Sequence, residues 1–337
     1  MATDVVLFCE RKKWHGRSIS RALRARGIKP LTVSLGSCGF STATRTGLAI
    51  PGLGDRLPKG ALVLFVPGGS FEQVTIYLGV LHGLRELGVT VWNDARAIER
   101  CVDKSTTTFF LQRAGIPTPW TWTGANRDEA CAIAEIKLAE GHTLVQKPLF
   151  GAQGEGLRLI ASPDDLAPPE EVNGVYYLQE FIPPADDAYR DWRIFVSAGQ
   201  VVAAMIRHGS SWITNIKQGA RAESAIPSQE LADLALRAVA CVGADYAGVD
   251  IIQDRSGQPL VLEVNSMPAW QGLQRVTRTR IADSTGLDRD RLTTLFQATR
   301  WSLETEDRRA LLMLLQLGNK SRQAGPYVSN LQFSGEE

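Results

Sequence analysis

The sequence predicts an α/β protein that opens with a parallel α/β layer and continues as α+β. Three observations carry this. Short apolar runs alternate with a helical pattern over residues 4–92. A glycine-rich loop at 151–156 stands between two strand-like runs. Near the end, residues 260–268 (Leu-Val-Leu-Glu-Val-Asn-Ser-Met-Pro) alternate apolar and polar and then stop at a turn.

Residues 4–9 form an apolar run, 10–17 a polar loop, and 18–26 fit a helix closed by Gly27. Residues 31–35 and 61–67 read as strands, the second ending at Gly68-Gly69-Ser70. Residues 71–87 carry Ile76, Val80, Leu81, Leu84 and Leu87 at helical spacing, with Gly88 as stop, and 89–92 is the next strand. Strands alternating with helices imply crossovers and a parallel sheet, whose strand carboxyl ends carry the ligand-facing loops. Trp14, His15, Arg17 and residues 67–70 are therefore candidate substrate-facing positions, although each alone fits an ordinary surface loop equally well. This first unit spans 1–94.

A second unit, 95–175, is α+β. Residues 95–115 look helical, 116–119 are an extended connector, and 128–140 a further helix. Residues 142–146 are a strand with Lys147 at its end, and 157–160 the returning strand. Three glycines in the intervening loop, Gly151, Gly154 and Gly156, permit positive φ and close backbone approach to a ligand.

The third unit, 176–318, begins with strands at 175–182, 191–197 and 201–208, then a helix from the Ser228 cap to Gly243. Strands at 248–252 and 260–265 are joined by a hairpin-like link at 254–257. Alternate residues share a strand face, so Glu263 and Asn265 point one way, and Leu262 and Val264 point into a core. Pairing the two strands sets Asp250 beside Glu263. Three oxygen donors, Asp250, Glu263 and Asn265, then converge in the manner of an Mg²⁺ site that shares nucleotide phosphates; the plain alternative is a solvated polar face. A basic segment (275–280), a long helix (288–317) and a patternless tail (319–337) complete the chain.

The 337 residues are 44% hydrophobic and 22% charged, an ordinary globular composition long enough for two or three domains. A net charge of +1 makes no case for nucleic acid or an anionic membrane as partner. No apolar stretch approaches a membrane span, and the N-terminus lacks the pattern of a secretory signal. The five cysteines are scattered without a Cys-x-x-Cys pair, which indicates neither zinc nor disulfides and fits a cytoplasmic protein.

Chemistry-bearing residues recur in a fixed order: Lys104 on a helix, Lys147 before the glycine loop, Gln179-Glu180-Phe181-Ile182 ending a strand, Arg193 and Arg207 on successive strands, Asn215, then Asp250, Glu263 and Asn265. Any one of these cations alone reads as a solvated surface charge. Together they are what a nucleoside triphosphate and a developing acyl phosphate require: lysines and Mg²⁺ against triphosphate, arginines against the transferred phosphoryl and a tetrahedral oxyanion. There is no Gly-x-x-x-x-Gly-Lys-Ser/Thr loop, and the glycines at 151–156 do not open a helix, so neither a P-loop nor a dinucleotide fingerprint is present.

The series Asp103-Lys104, Gln146-Lys147-Pro148, Gly-Ala-Gln-Gly-Glu-Gly, Tyr-Leu-Gln-Glu-Phe-Ile, Asp191-Trp192-Arg193, Thr214-Asn215, Ala-Gly-Val-Asp250 and Leu-Glu263-Val-Asn265 resembles the ATP-grasp superfamily. Within it, the chain is most similar to the RimK-type glutamate ligases, over about residues 4–300. The resemblance implies an ATP-grasp fold behind an N-terminal parallel domain, with 95–175 as the lid subdomain. It implies ATP phosphates on Lys104 and Lys147, and a lid at 151–156 that includes Gln153. It places adenine at Gln179, Glu180, Phe181 and Ile182, and ribose at Asp187. Arg193, Arg207 and Asn215 take the catalytic positions, and Asp250, Glu263 and Asn265 hold Mg²⁺ or Mn²⁺. The implied reaction is carboxylate plus ATP to acyl phosphate, then attack by an amine to give an amide, ADP and phosphate.

Departures cluster where the acceptor is expected. Val66-Pro67-Gly68-Gly69 stands where relatives carry an arginine before the loop, Lys217 follows Asn215, and the turn after Asn265 reads Ser-Met-Pro-Ala-Trp. Trp212, Lys217, Ser266 and Arg275 join Trp14, His15 and Arg17 as candidate substrate contacts. The favoured expectation is L-glutamate added to a small-molecule amine such as a cofactor precursor, by a homo-oligomer (dimer or tetramer). The alternatives are a ligase for another amino acid or peptide, of glutathione-synthetase or ribosomal-protein-modifying type, and a non-catalytic ATP-binding protein.

Overall fold

The computed structural model describes residues 5–10, 13–151, 153–184, 186 and 188–284. Asp187, the expected 288–317 helix and the expected tail at 319–337 lie outside the described residues.

The first part runs β1 (Val5–Phe8), α1 (Trp14–Ala25), β2 (Pro30–Val33), a hairpin of β3 (Gly39–Phe40) and β4 (Leu48–Ala49), β5 (Gly60–Val63), α2 (Phe71–Glu86) and β6 (Thr90–Trp92). The parallel sheet has the order β2-β1-β5-β6. All four residues of β1 and of β5 are buried, as expected for strands covered on both faces. Val80, Leu81 and Leu84 of α2 pack on one face, and Ile19 and Leu23 of α1 on the other. Ile76, expected on the apolar face of α2, is exposed. Helix α1 begins at Trp14, so Trp14, His15 and Arg17 are helical and not in a loop.

The expected 95–115 helix is two: α3 (Ala95–Val102) and α4 (Lys104–Arg113). Asp103 breaks it by taking an extended conformation, and its carboxylate accepts from the amides of Ser105 (2.8 Å) and Thr106 (3.2 Å) as an N-cap. This cap starts a new helix at Lys104. The lid sheet follows with β7 (Thr121–Gly124), α5 (Arg127–Ala139), β8 (Leu144–Lys147), β9 (Arg158–Ile160) and β10 (Tyr176–Glu180), in the order β7-β10-β8-β9. Strand β10 inserts between β7 and β8 and buries Tyr176 and Leu178 in the lid core, so this sheet ends after Glu180 rather than at 175.

The last sheet contains β11 (Arg190–Ser197), β12 (Gln200–His208), β13 (Arg221–Ala225), β14 (Tyr246–Gln253) and β15 (Pro259–Asn265), with α6 (Gln229–Val242) before β14 and α7 (Gln271–Val276) after β15. The antiparallel order is β13-β12-β11-β14-β15. Helix α6 covers one face with Leu231, Leu234, Ala235, Ala238, Val239 and Val242. The hairpin sets Asp250 opposite Glu263, but Ile251 then pairs with Val261. The bulge leaves Leu262 without a partner. Leu262 therefore lines the cleft beside Glu263, while Val261 and Val264 are buried, contrary to simple alternation. The Val261 amide donates to the Pro117 carbonyl (2.8 Å), tying the bulge to the lid connector. No helix among the described residues is long and apolar enough to cross a membrane.

Candidate active site

The lid sheet and the last sheet face each other across a cleft, a cavity of about 180 Å³. Strand β8 delivers Lys147 and, two residues back, Val145 to one wall. The N-cap of α4 delivers Lys104, whose Nζ donates to the carbonyls of Gly151 (3.0 Å) and Leu149 (3.3 Å). Lys147 Nζ donates to Gln179 Oε1 at 2.5 Å, and Gln179 Nε2 donates to Tyr177 Oη and Thr121 Oγ1, both at 3.2 Å. Burial lowers both ammonium groups against the pull of Glu263, and brings Lys147 down to about 8. Two incompletely neutralised amines side by side suit a polyanionic ligand.

Glu180 is held by His142, its carboxylate 2.8 Å from Nδ1, and its amide donates to the Trp120 carbonyl (2.9 Å). Glu180, Phe181 and Ile182 then run along the cleft edge, with the Trp212 ring at a right angle to Phe181, 6.0 Å between centroids. Val145, Ile252 and Leu262 supply apolar surface fit for a flat ring, and the sequence pattern marks none of the three as a ligand contact. Gly151, Gln153, Gly154 and Glu155 of the glycine-rich loop line the cleft. Gly154 (φ +74°) sits where a Cβ would come within 2.7 Å of Ile213, and Lys217 Nζ donates to Gln153 Oε1. Gln218 Nε2 donates to the Gln153 carbonyl at 3.4 Å. Lid and opposite loop thus meet over the cleft.

The floor is a buried chain of charges. Arg207 Nε donates to Asp191 Oδ1 (2.7 Å), and its Nη2 reaches both Asp191 and Asp250 Oδ2 (3.0 Å). Arg193 grips Asp250 with Nε and Nη2, the latter at 2.7 Å. Two guanidinium groups and two carboxylates cancel, which lets them stay buried. Burial alone would raise the Asp250 carboxyl, but Arg193 and Arg207 outweigh it and hold it below the usual range. Burial dominates at Asp191 and raises it. Burial would lower Arg207, yet Asp250 and Asp191 raise it further. Asp191 is not among the site residues to which the sequence points. The available signal was its place two residues before Arg193, on the same strand face, where two inward arginines demand counter-charge.

Glu263 differs. Among the described residues its carboxylate makes no hydrogen bond or ion pair, yet it lines the cleft and acts on both lysines. Asn265 sits opposite Gly248 at the strand end. Two carboxylates and a carboxamide on neighbouring strands are hard oxygen donors that fit a divalent cation able to keep water or phosphate ligands. Both Asp250 oxygens are engaged by guanidinium groups here, so a metal there shares or displaces one of these contacts.

The structure gathers Lys104, Lys147, Gly151, Gln153, Gly154, Gln179, Glu180, Phe181, Ile182, Arg207, Trp212, Asn215, Asp250 and Glu263 at one cleft. Arg193 stands behind Asp250, and Gly156 packs on Pro148. Other expected contacts are elsewhere. Trp14 and His15 pack against Trp270 because α1 starts earlier than expected. Arg17 faces a separate groove beside α1. Ser266 is buried beneath the strand end, and Arg275 is exposed on α7 outside the cleft lining.

Two antiparallel sheets closing on a cleft with paired lysines, a glycine-rich cover and a carboxylate hairpin define an ATP-grasp protein. The RimK-like ATP-grasp domain model matches residues 101–285, and the chain belongs to that family. It is 36% identical over 202 residues to the tetrahydromethanopterin:alpha-L-glutamate ligase of Methanococcus maripaludis, covering 58% of this chain and 68% of that one. It is 31% identical over 211 residues to the alpha-aminoadipate–LysW ligase LysX of Saccharolobus solfataricus, covering 59% and 74%. Among solved structures, the ATP-grasp ligase PsnB with a minimal precursor shares the fold at a TM-score of 0.66 and 21% identity, over 88% of this chain and 99% of that one.

Proposed function

We propose that this protein is an ATP-dependent carboxylate–amine ligase that joins L-glutamate to the amine of a small-molecule acceptor and releases ADP and phosphate. The observation that carries this reading is the cleft itself: Lys104 and Lys147 on one wall face Glu263 and the Arg193–Asp250–Arg207 chain on the other. In this reading Lys104 and Lys147 hold the triphosphate, and the backbone at 180–182 meets the base edge. Arg207, kept in place by Asp191, stabilises charge on the transferred phosphoryl group and on the oxyanion formed as the amine attacks. Asn215 orients phosphate or substrate at the cleft mouth. Asp250, Glu263 and Asn265 would hold Mg²⁺, or Mn²⁺ in its place, which would neutralise phosphate oxygens when bound. No protein nucleophile is needed; positioning and electrostatics supply the rate, with the lid excluding water.

The glutamate assignment is supported by the family and by the glutamate-ligase relative described above. The test is ADP release over a panel of amino acids and amine acceptors, with mass spectrometry of the product. ADP formed only with glutamate and an amine, with a mass gain of one glutamyl unit, is expected. Turnover only with a different carboxylate overturns the glutamate assignment, and nucleotide binding without turnover for any pair overturns the ligase reading.

A further inference from the structure

The five-residue turn after β15, Ser266-Met267-Pro268-Ala269-Trp270, is held at both ends by side chains from the N-terminal layer. At one end Asn93, just past β6 and fully buried, uses its whole carboxamide. Its Nδ2 donates to the Ser266 carbonyl (2.5 Å) and the Tyr246 carbonyl (2.7 Å). Its Oδ1 accepts from the amides of Asp245 (2.6 Å) and Tyr246 (3.2 Å). At the other end the Trp270 amide donates to His15 Nε2 (3.1 Å). The His15 ring also stacks edge-on against Trp270, with centroids 4.4 Å apart, and Met267 packs into the N-terminal core between them. Nε2 accepts only in the neutral ring, and burial, helped by Lys13, lowers the His15 pKa to about 4.

We propose that Asn93 and His15 are positioning residues that fix the 266–270 turn, and through it the end of β15, relative to the cleft. The physical reason is local. Asn265 and Glu263 lie directly before Ser266, and a strand end whose next carbonyl is free shifts with its turn. The Asn93 amide holds that carbonyl, while His15 stops the far end of the turn from swinging out. The N-terminal layer thereby sets the geometry of a hairpin it does not contribute a strand to. The placement of the turn stands apart from the ligase reading; only the link to metal-dependent nucleotide binding rests on it.

Asn93→Ala strands buried amide and carbonyl groups and can fail to fold, so the informative pair is His15→Phe and His15→Gln. Phenylalanine keeps the ring packing without an acceptor; glutamine places an amide oxygen near Nε2. Amide exchange by mass spectrometry on the full chain reads the turn without any activity. His15→Phe is expected to raise exchange at Trp270 at least tenfold, and His15→Gln to return it towards wild type. Calorimetry with ADP reads the cleft: His15→Phe is expected to lose several-fold of the affinity gained on adding Mg²⁺, with ADP affinity in EDTA unchanged. Equal exchange in both variants overturns the hydrogen-bond role. Faster exchange with an unchanged Mg²⁺-dependent gain overturns the link to the cleft. No Mg²⁺-dependent gain in the wild-type protein overturns that link together with the metal assignment, and leaves the turn-holding role to stand on exchange alone.

Discussion

Asp250 and Glu263 face each other in the register of the last two strands, yet their carboxylates keep opposite company. Asp250 is clasped by Arg193 and Arg207, while Glu263 makes no bond among the described residues and looks across at two lysines. One carboxylate already has protein partners that a bound ligand must share or displace, and the other is open to a ligand. This asymmetry separates what removing each should do.

Glu263→Gln should abolish metal-dependent ADP release while leaving the thermal midpoint within a few degrees of wild type, because no buried partner is orphaned. Asp250→Asn should destabilise the chain by about 3–5 kcal/mol, the usual cost of stranding one side of a buried ion pair. Denaturant titration of the two variants beside wild type measures the contrast. Equal destabilisation by both would show that Glu263 has a structural partner.

Nucleotide affinity should fall as pH rises through about 8, because burial has brought the Lys147 ammonium down to that value. A bound triphosphate favours the charged form, so binding near pH 8 should take up a proton. Calorimetry in two buffers of different ionisation enthalpy reads this uptake. Lys147→Arg keeps its charge throughout and should flatten the profile.

Gly154→Ala places a Cβ against Ile213 at a φ of +74°, a conformation costing about 1–2 kcal/mol for an L-residue. The KM for ATP should rise several-fold, and global stability should fall by no more than about 1–2 kcal/mol, the loop relaxing to relieve the contact. Adding Ile213→Ala should recover the steric part and leave the backbone part, so the double variant should fall between the two.

Stability should fall as pH drops from about 6.5 towards 4 in the wild-type protein, more steeply than in His15→Gln. The folded pKa of His15, lowered by burial to about 4, lies below its unfolded value near 6.5, so unfolding takes up a proton in that window. Its contribution is complete above 6.5 and lost as pH falls through 4. Urea midpoints across pH for the two proteins measure the difference.

Much of this was legible in the residues. Apolar alternation and helical spacing depend on neighbours a few positions away, so β1, β5, α2, α6 and the Asp250–Glu263 hairpin could be read locally. The order of lysines, glycines, arginines and carboxylates gave the family, since each type is dictated by phosphate and metal chemistry rather than by packing. Other features depended on partners far along the chain. The bulge that turns Leu262 into the cleft is set by β14 and by the Pro117 carbonyl. Asp191 meets its partner because β12 brings Arg207 beside it, and β10 joins the lid by pairing with both β7 and β8. His15 and Asn93 read as a loop residue and a boundary; the packing of one sheet on another made them the two ends of a clamp. The sequence by itself determined which chemical groups the chain possesses, their order, and the strands and helices with strong local periodicity. Tertiary structure decided which of those groups meet, because register and sheet packing are settled by long-range burial that no local pattern records.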